Sequence, residues 1–396
     1  VSGGGPVYLD WAATAPLDAR VAEALCACLA DPAAQANPSS GHAAGRAAAE
    51  FIARARLQVA GLIGAPAEAV IFTSGATESV NLAILGAARA SPRERRHVVC
   101  SRVEHRAVVG ACRELEREGF EVGWLPPAAG GAIDPAAVAA ALRPDTALVT
   151  LMHVNNETGA VTDIAAVARL CRERGVPLHV DAAQSAGKLP LDVGADDGIA
   201  LLSFCAHKLG GPKGIGALYV RRQPRPALRP LMAGGGHEGG LRPGTLATHQ
   251  IVGFGVACEL ARAALAGGPA RIRALRERLW QALQPAAPLW RNGVEEPSVS
   301  GILNVGFAGI EGESLLLALD GTVAVASGAA CHSAVAEPSY VLRALGRSDL
   351  AIQASLRFSL GSGTTADDVD RAAAQVVAAV RRLRAVLPPG ALERVA

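Results

Sequence analysis

The sequence predicts an α/β sandwich around a mostly parallel sheet, joined to a smaller α+β domain. Three observations carry this expectation. From about residue 50 to 260, short strand-like apolar runs alternate with longer segments whose apolar residues recur at helical spacing. Polar side chains able to hold a ligand follow several of those runs, at the strand ends where parallel sheets build their sites. After a long helical stretch from Ile251 to Leu283 the character changes, which places a second unit in the C-terminal part.

Taken in order, the opening segment to about Pro16 is assigned to the smaller domain, and a helix follows over Arg20 to Leu29. Strands are expected at Val70-Ile-Phe-Thr73, His97-Val-Val-Cys100, Ala147-Leu-Val-Thr-Leu-Met152, Leu178-His-Val-Asp181 and Gly216-Ala-Leu-Tyr-Val220. The segments between them are helical by period, as in Ile164 to Arg174. In the smaller domain, Ser300 to Phe307 and Ser355 to Ser359 read as strands. Gly312 to Leu319 and the segment from Thr365 onward read as helices. Gly234-Gly-Gly236 is a turn cluster, and no internal repeat is visible.

A chain of 396 residues, 50% of them hydrophobic, can bury a sizeable core and usually makes two domains. The net charge of +2 gives no footprint for nucleic acid. Arg93-Glu-Arg-Arg96 and Arg221-Arg222 read as solvated faces. No apolar run reaches the roughly 18 residues of a membrane span, so a cytoplasmic enzyme is the expectation. The eight cysteines show no disulfide framework. Cys26 and Cys28 turn to different faces of one helix, so no shared metal is expected there. Cys100, Cys112, Cys171 and Cys258 lie in apolar runs as small buried hydrophobes.

The chemistry concentrates in a few segments. Ser203-Phe-Cys-Ala-His-Lys208 ends an apolar run, and a buried lysine there can be a neutral amine able to form a Schiff base. Asp181 closes the strand before it, where a carboxylate can meet the ring nitrogen of pyridoxal phosphate or simply cap the following turn. Thr73-Ser-Gly-Ala-Thr-Glu-Ser79 follows a strand and opens a helix. It is either a phosphate cradle or an ordinary capping box. His105 can stack on a ring and move protons, or be a satisfied loop histidine. Asn156 can donate to a phenolic oxygen or sit in a turn before Thr158-Gly159. Arg357, inside an apolar strand, needs a partner: a substrate carboxylate or a structural acid. Cys331, with His332 beside it, is either a nucleophile in a loop or a buried thiol.

In order, these motifs resemble those of the pyridoxal-phosphate-dependent cysteine desulfurases of the class V aminotransferase superfamily, the type that feeds bacterial iron–sulfur assembly. The likeness runs from Tyr8-Leu-Asp-Trp-Ala-Ala-Thr14 to about Leu383. It takes in Asn37-Pro-Ser-Ser40, Ser74 to Ser79, Met152 to Glu157, His179 to Gln184, Gly211 to Gly216, Gly234 to His237, Arg242-Pro-Gly-Thr245 and Glu337 to Gly346. The resemblance implies a fold-type I homodimer. Residues 17–260 would form the large cofactor-binding domain on a seven-stranded sheet, with 1–16 and 261–396 forming the small domain that carries the Cys331 loop. It implies Lys208 as the Schiff-base lysine, Asp181 on the pyridinium nitrogen, His105 on the ring, and Gln184 and Asn156 at the phenolic oxygen. Ala76, Thr77, Cys205 and His207 would hold the phosphate, with Thr245 arriving from the second subunit. Arg357, Asn156 and Asn37 would hold the carboxylate of L-cysteine. Cys331 would take the sulfur as a persulfide and pass it to an acceptor, such as an iron–sulfur scaffold or a SufE-like or TusA-like carrier. No resident metal is implied, although Cys331 could ligate an iron–sulfur cluster in passing.

Three departures stand out. Cys205 replaces a serine, and a thiol is the weaker donor. His332 replaces a threonine or serine after Cys331, and Pro243 replaces a serine or alanine. Rival readings are a selenocysteine lyase, another C–S lyase or a class V aminotransferase, none of which needs the loop thiol, and a non-catalytic sulfur-carrier scaffold.

Overall fold

The computed structural model describes residues 5–195, 198–327 and 338–387. A seven-stranded sheet runs in the spatial order Val70–Thr73, Gly216–Val220, Ile199–Cys205, Leu178–Asp181, Thr146–Met152, His97–Ser101, Glu121–Leu125. Only Gly216–Val220 runs against the rest, pairing antiparallel with both neighbours. The other pairings are parallel. The mostly parallel sheet expected from the sequence is therefore present.

Most of its strands are buried along their whole length and largely apolar because both faces are covered. Alternate side chains enter opposite layers. Phe72, Val99, Leu151, Val180, Phe204 and Phe254 share one core, while Ile71, Val98, Leu148, Leu201 and Leu218 share the other. The helix Ala76–Ala90 packs on the second face, and Thr248–Ala264 packs on Ala43–Leu62 beside the first. Six strands run in one direction, so Ser74, Glu104, His153, Asp181 and Ala206 all stand at the same edge of the sheet.

A second core gathers on a four-stranded antiparallel sheet in the order Ala326–Ser327, Ser355–Ser359, Ile302–Phe307, Leu289–Asn292. Gly268–Leu283, Gly312–Leu319 and Ala366–Arg384 contribute their apolar faces to it. Val7–Tyr8 pairs with Val323–Ala324, which ties the N-terminal segment to this unit. The single helical stretch expected over Ile251 to Leu283 is two helices bent by 76°. Pro269 fits the first turn of the second helix, and Gly267 and Gly268 before it weaken helical continuation. The first helix belongs to the large core and the second to the small one. Among the described residues, no single helix is long and apolar enough to cross a membrane.

Candidate active site

Lys208 follows the buried strand Ile199–Cys205 through one tight turn, Ala206–Lys208. The turn must be close. A Cβ on Gly211 would lie 2.9 Å from Ala206 and 3.0 Å from Ala257, so only glycine lets the chain pass. Lys208 makes no ion pair among the described residues and lines a cavity of about 490 Å³ at the junction of the two cores. Asp181 ends the adjacent strand at 6% exposure. Its Oδ1 accepts the Ala183 N–H at 2.9 Å, so the capping role is real and uses one carboxylate oxygen.

His105 caps the helix Arg106–Arg117, with Nδ1 accepting the Ala107 N–H at 3.1 Å. That bond places the proton of the neutral ring on Nε2. Burial pushes the His105 pKa down, Asp181 opposes the shift, and Lys208 and Arg106 reinforce it. These charges act on one imidazole, which brings Lys208, Asp181 and His105 into one electrostatic neighbourhood. Glu104 beside it is fully buried, and its carboxyl is pushed up to about 8, chiefly by burial. Ser101 donates to Oε1 at 2.6 Å, while Oε2 has no partner.

Gly75 opens the helix Ala76–Ala90 without a side-chain cap. Half of the expected capping box exists: Glu78 accepts the Ser74 N–H at 2.6 Å. The free first-turn N–H groups at Ala76 and Thr77 face an edge where a Cβ on Gly216 would sit 2.7 Å from the Gly75 backbone. Such a helix start accepts an anion. His207 holds Thr14 Oγ1 at 3.2 Å and is pushed down to about 4 by burial and by Lys208, Lys213 and Lys188. Cys205 is 2% exposed, with its thiol pushed up mainly by burial, which marks it as an inert interior group.

Asn156 does sit in a turn before Thr158-Gly159, and Asn155 ties that turn: its Oδ1 accepts the N–H groups of Glu157 and Thr158, each at 2.9 Å. Asn156 offers its carbonyl to Arg357 Nη1 at 2.9 Å. Of the two partners foreseen for Arg357, the structure contains the structural acid: Nη2 meets Asp10 Oδ1 at 2.8 Å. Its Nε remains buried and unpartnered. Gln184 is engaged at both ends. Nε2 donates to the Ala12 carbonyl at 2.8 Å, and Oε1 accepts from Lys188 Nζ at 2.7 Å.

Asn37 and Thr245 lie on the surface of the single chain. Asn37 Oδ1 accepts the Ser39 N–H in a local turn. The loop before Thr245 is pinned by Arg242 to Glu78 at 3.1 Å and by Glu238 to Arg56 at 2.6 Å. Cys331, His332 and Glu337 lie outside the described residues. Three features escaped the sequence reading: Asp10, Lys188, and a buried chain in which His179 joins Thr150 Oγ1 and Ser203 Oγ, each at 2.8 Å. His179 shares a face with Asp181 two residues on, a period-two signal that was there to be read. Burial and the neighbouring Lys208 push the Lys188 ammonium down to about 7.

The residues present fit pyridoxal phosphate. An amine without an acid partner, a carboxylate at a strand end and an uncapped helix start share one sheet edge. Comparison with known proteins agrees. The class-V aminotransferase family profile matches residues 7–372. "Cysteine desulfurase IscS" of Shewanella baltica (strain OS223) is 51% identical over 384 residues, 97% of this chain and 95% of that protein. Among solved structures, a "NifS-like protein" superposes with a TM-score of 0.88 at 30% identity, covering 96% of this chain and 100% of that one. "SspA in complex with cysteine" gives a TM-score of 0.79 at 37% identity, covering 89% and 98%. The chain belongs to the class-V aminotransferase family, and within it to the cysteine desulfurases.

Proposed function

We propose that this protein converts L-cysteine to L-alanine, leaves the sulfur as a persulfide on Cys331, and passes it to an acceptor protein. It is a pyridoxal-phosphate-dependent enzyme. The observation that carries the reading is that Lys208, Asp181 and His105 stand at or just after the ends of parallel strands on one sheet edge, with the uncapped helix at Ala76 along the same edge.

When bound, the cofactor stores the electron pair released at the substrate α-carbon. Lys208 would hold the cofactor and, once displaced by substrate, take the α-proton at Nζ. Asp181 would keep the ring nitrogen protonated through its second carboxylate oxygen. Ala76, Thr77, His207 and, as a weaker thiol donor, Cys205 would anchor the phosphate. Gln184 and Asn156 would meet the phenolic oxygen. Arg357 has one donor, Nε, with no internal partner, and the substrate carboxylate would compete with Asp10 for the rest. His105, neutral with its proton on Nε2, would relay the thiol proton. Asn37, and Thr245 reaching across from a second subunit, complete the proposed site. The protein would act as a cytoplasmic homodimer, with an iron–sulfur scaffold or a small sulfur carrier as acceptor.

Lys208→Ala should lose the cofactor's long-wavelength absorbance. Cys331→Ser should keep that band, lose persulfide by mass spectrometry and lose sulfide release by at least ~100-fold, as expected for removal of a nucleophile. Normal turnover in the Cys331 variant would overturn the assignment.

A further inference from the structure

We propose that Lys188 is a positioning residue that sets which end of the Gln184 amide faces the cofactor. The inference rests on the cofactor reading above and extends it to a residue outside the motif set. An amide presents either a donor or an acceptor depending on its flip, and the two choices have opposite effects on an anionic oxygen. Here the flip is fixed from both sides. Lys188 Nζ donates to Oε1 at 2.7 Å, which only an acceptor can satisfy. The Ala12 carbonyl accepts from Nε2 at 2.8 Å, which only a donor can satisfy. An amide nitrogen carries two N–H groups, so one remains for the phenolic oxygen.

Lys188 is suited to the task and to no other visible one. Among the described residues it makes no ion pair, and Gln184 is its hydrogen-bond partner. It shares with Lys208 the wall of the interdomain cavity, together with Asp18, Arg20 and Arg271. Asp18 is bound to Arg20 at 2.7 Å, and Arg271 donates to Thr364 and Ser362 carbonyls, so none of these competes for Gln184. Lys208, Cys205, Arg357 and His207 are the other titratable groups that interact electrostatically with Lys188. A donor held on the ring oxygen favours the phenolate and lowers the pH at which the cofactor–Lys208 linkage loses its proton.

The test is a pH titration of the visible absorbance of the cofactor-bound enzyme. Lys188→Met leaves the amide held by the Ala12 carbonyl alone, so that it can turn its oxygen toward the cofactor, and should raise the midpoint by about one unit, a tenfold change in the proton equilibrium. Gln184→Ala should raise it similarly, and adding Lys188→Met to Gln184→Ala should change nothing more. Additive shifts would show that Lys188 acts by its own charge and would overturn the proposal, as would an unshifted single variant. If Lys188→Met fails to fold, Lys188→Arg, which keeps a donor for Oε1, should titrate with the parent; a shift as large as that of Gln184→Ala overturns the proposal. Should Lys208→Ala retain the parent's absorbance, the cofactor reading itself fails, an outcome read independently of Lys188.

Discussion

Glu104 shows how a single interior carboxyl can carry a pH dependence of its own. Its neighbour His105 was legible from the sequence as a site candidate, but nothing in Glu104-His105 separates a solvated acid from a buried one. Burial raises the folded-state value to about 8, above the ordinary carboxylate value that applies to the unfolded chain. The contribution is therefore intact below the unfolded value and is lost as pH rises toward 8. Replacing Glu104 with Gln removes the titration while keeping an acceptor for Ser101. Denaturant unfolding should show the parent losing about 2–4 kcal/mol relative to Glu104→Gln between pH 5 and pH 8. Parallel pH profiles would mean that the carboxyl does not titrate in that window. The same blindness applies to Asp10 and His179, whose partners Arg357, Thr150 and Ser203 lie far along the chain; Lys188 meets Gln184 only four residues away, but nothing in that spacing shows that both side chains are turned inward.

At the level of the element, the glycine-rich segment after Gly234 is the clearest case of sequence and structure diverging. It reads as a turn cluster, and it is one, but its function as a clamp depends on Glu238. That residue adopts φ 51°, a left-handed conformation unusual for a residue with a Cβ. The cost is about 1 kcal/mol. Against it stand the bidentate pair with Arg56 and the Phe72 N–H donated to Oε2 at 2.7 Å. Glu238→Ala should lower unfolding free energy by about 2–4 kcal/mol, because Arg56 and a buried N–H lose their acceptor together. A change under about 0.5 kcal/mol would show that water replaces the carboxylate there. Five strands of the large sheet, by contrast, were readable to within a residue, because burial on both faces makes them largely apolar; Glu121–Leu125 and Leu289–Asn292 are only partly buried and were not. The break between the two helices near Leu265 was missed although Gly267-Gly268-Pro269 marks it, because helical spacing of apolar residues resumes on the far side.

At the scale of the whole molecule, residues 9–18 stitch the two cores together. Ser359 accepts the Ala12 N–H at 2.9 Å and donates its own N–H to Leu9 at 2.7 Å, while Ala15 and Asp18 bond the backbone around Lys208. Trp11 lies so flat on Gly361 that a Cβ there would fall 2.0 Å from the indole. Gly361→Ala should therefore destabilise by about 1–3 kcal/mol through displacement of Trp11, with unfolding midpoint and tryptophan emission shifting together. An unchanged emission spectrum would contradict that packing. The stitch also sets an order of assembly. Ala12 and Ser359 are 347 positions apart, so on a ribosome the first-made segment waits for nearly the last strand before it can close over the lysine turn. Until then Arg357 has not been made, so an incomplete chain that already holds Lys208 lacks the residue proposed to receive the substrate carboxylate.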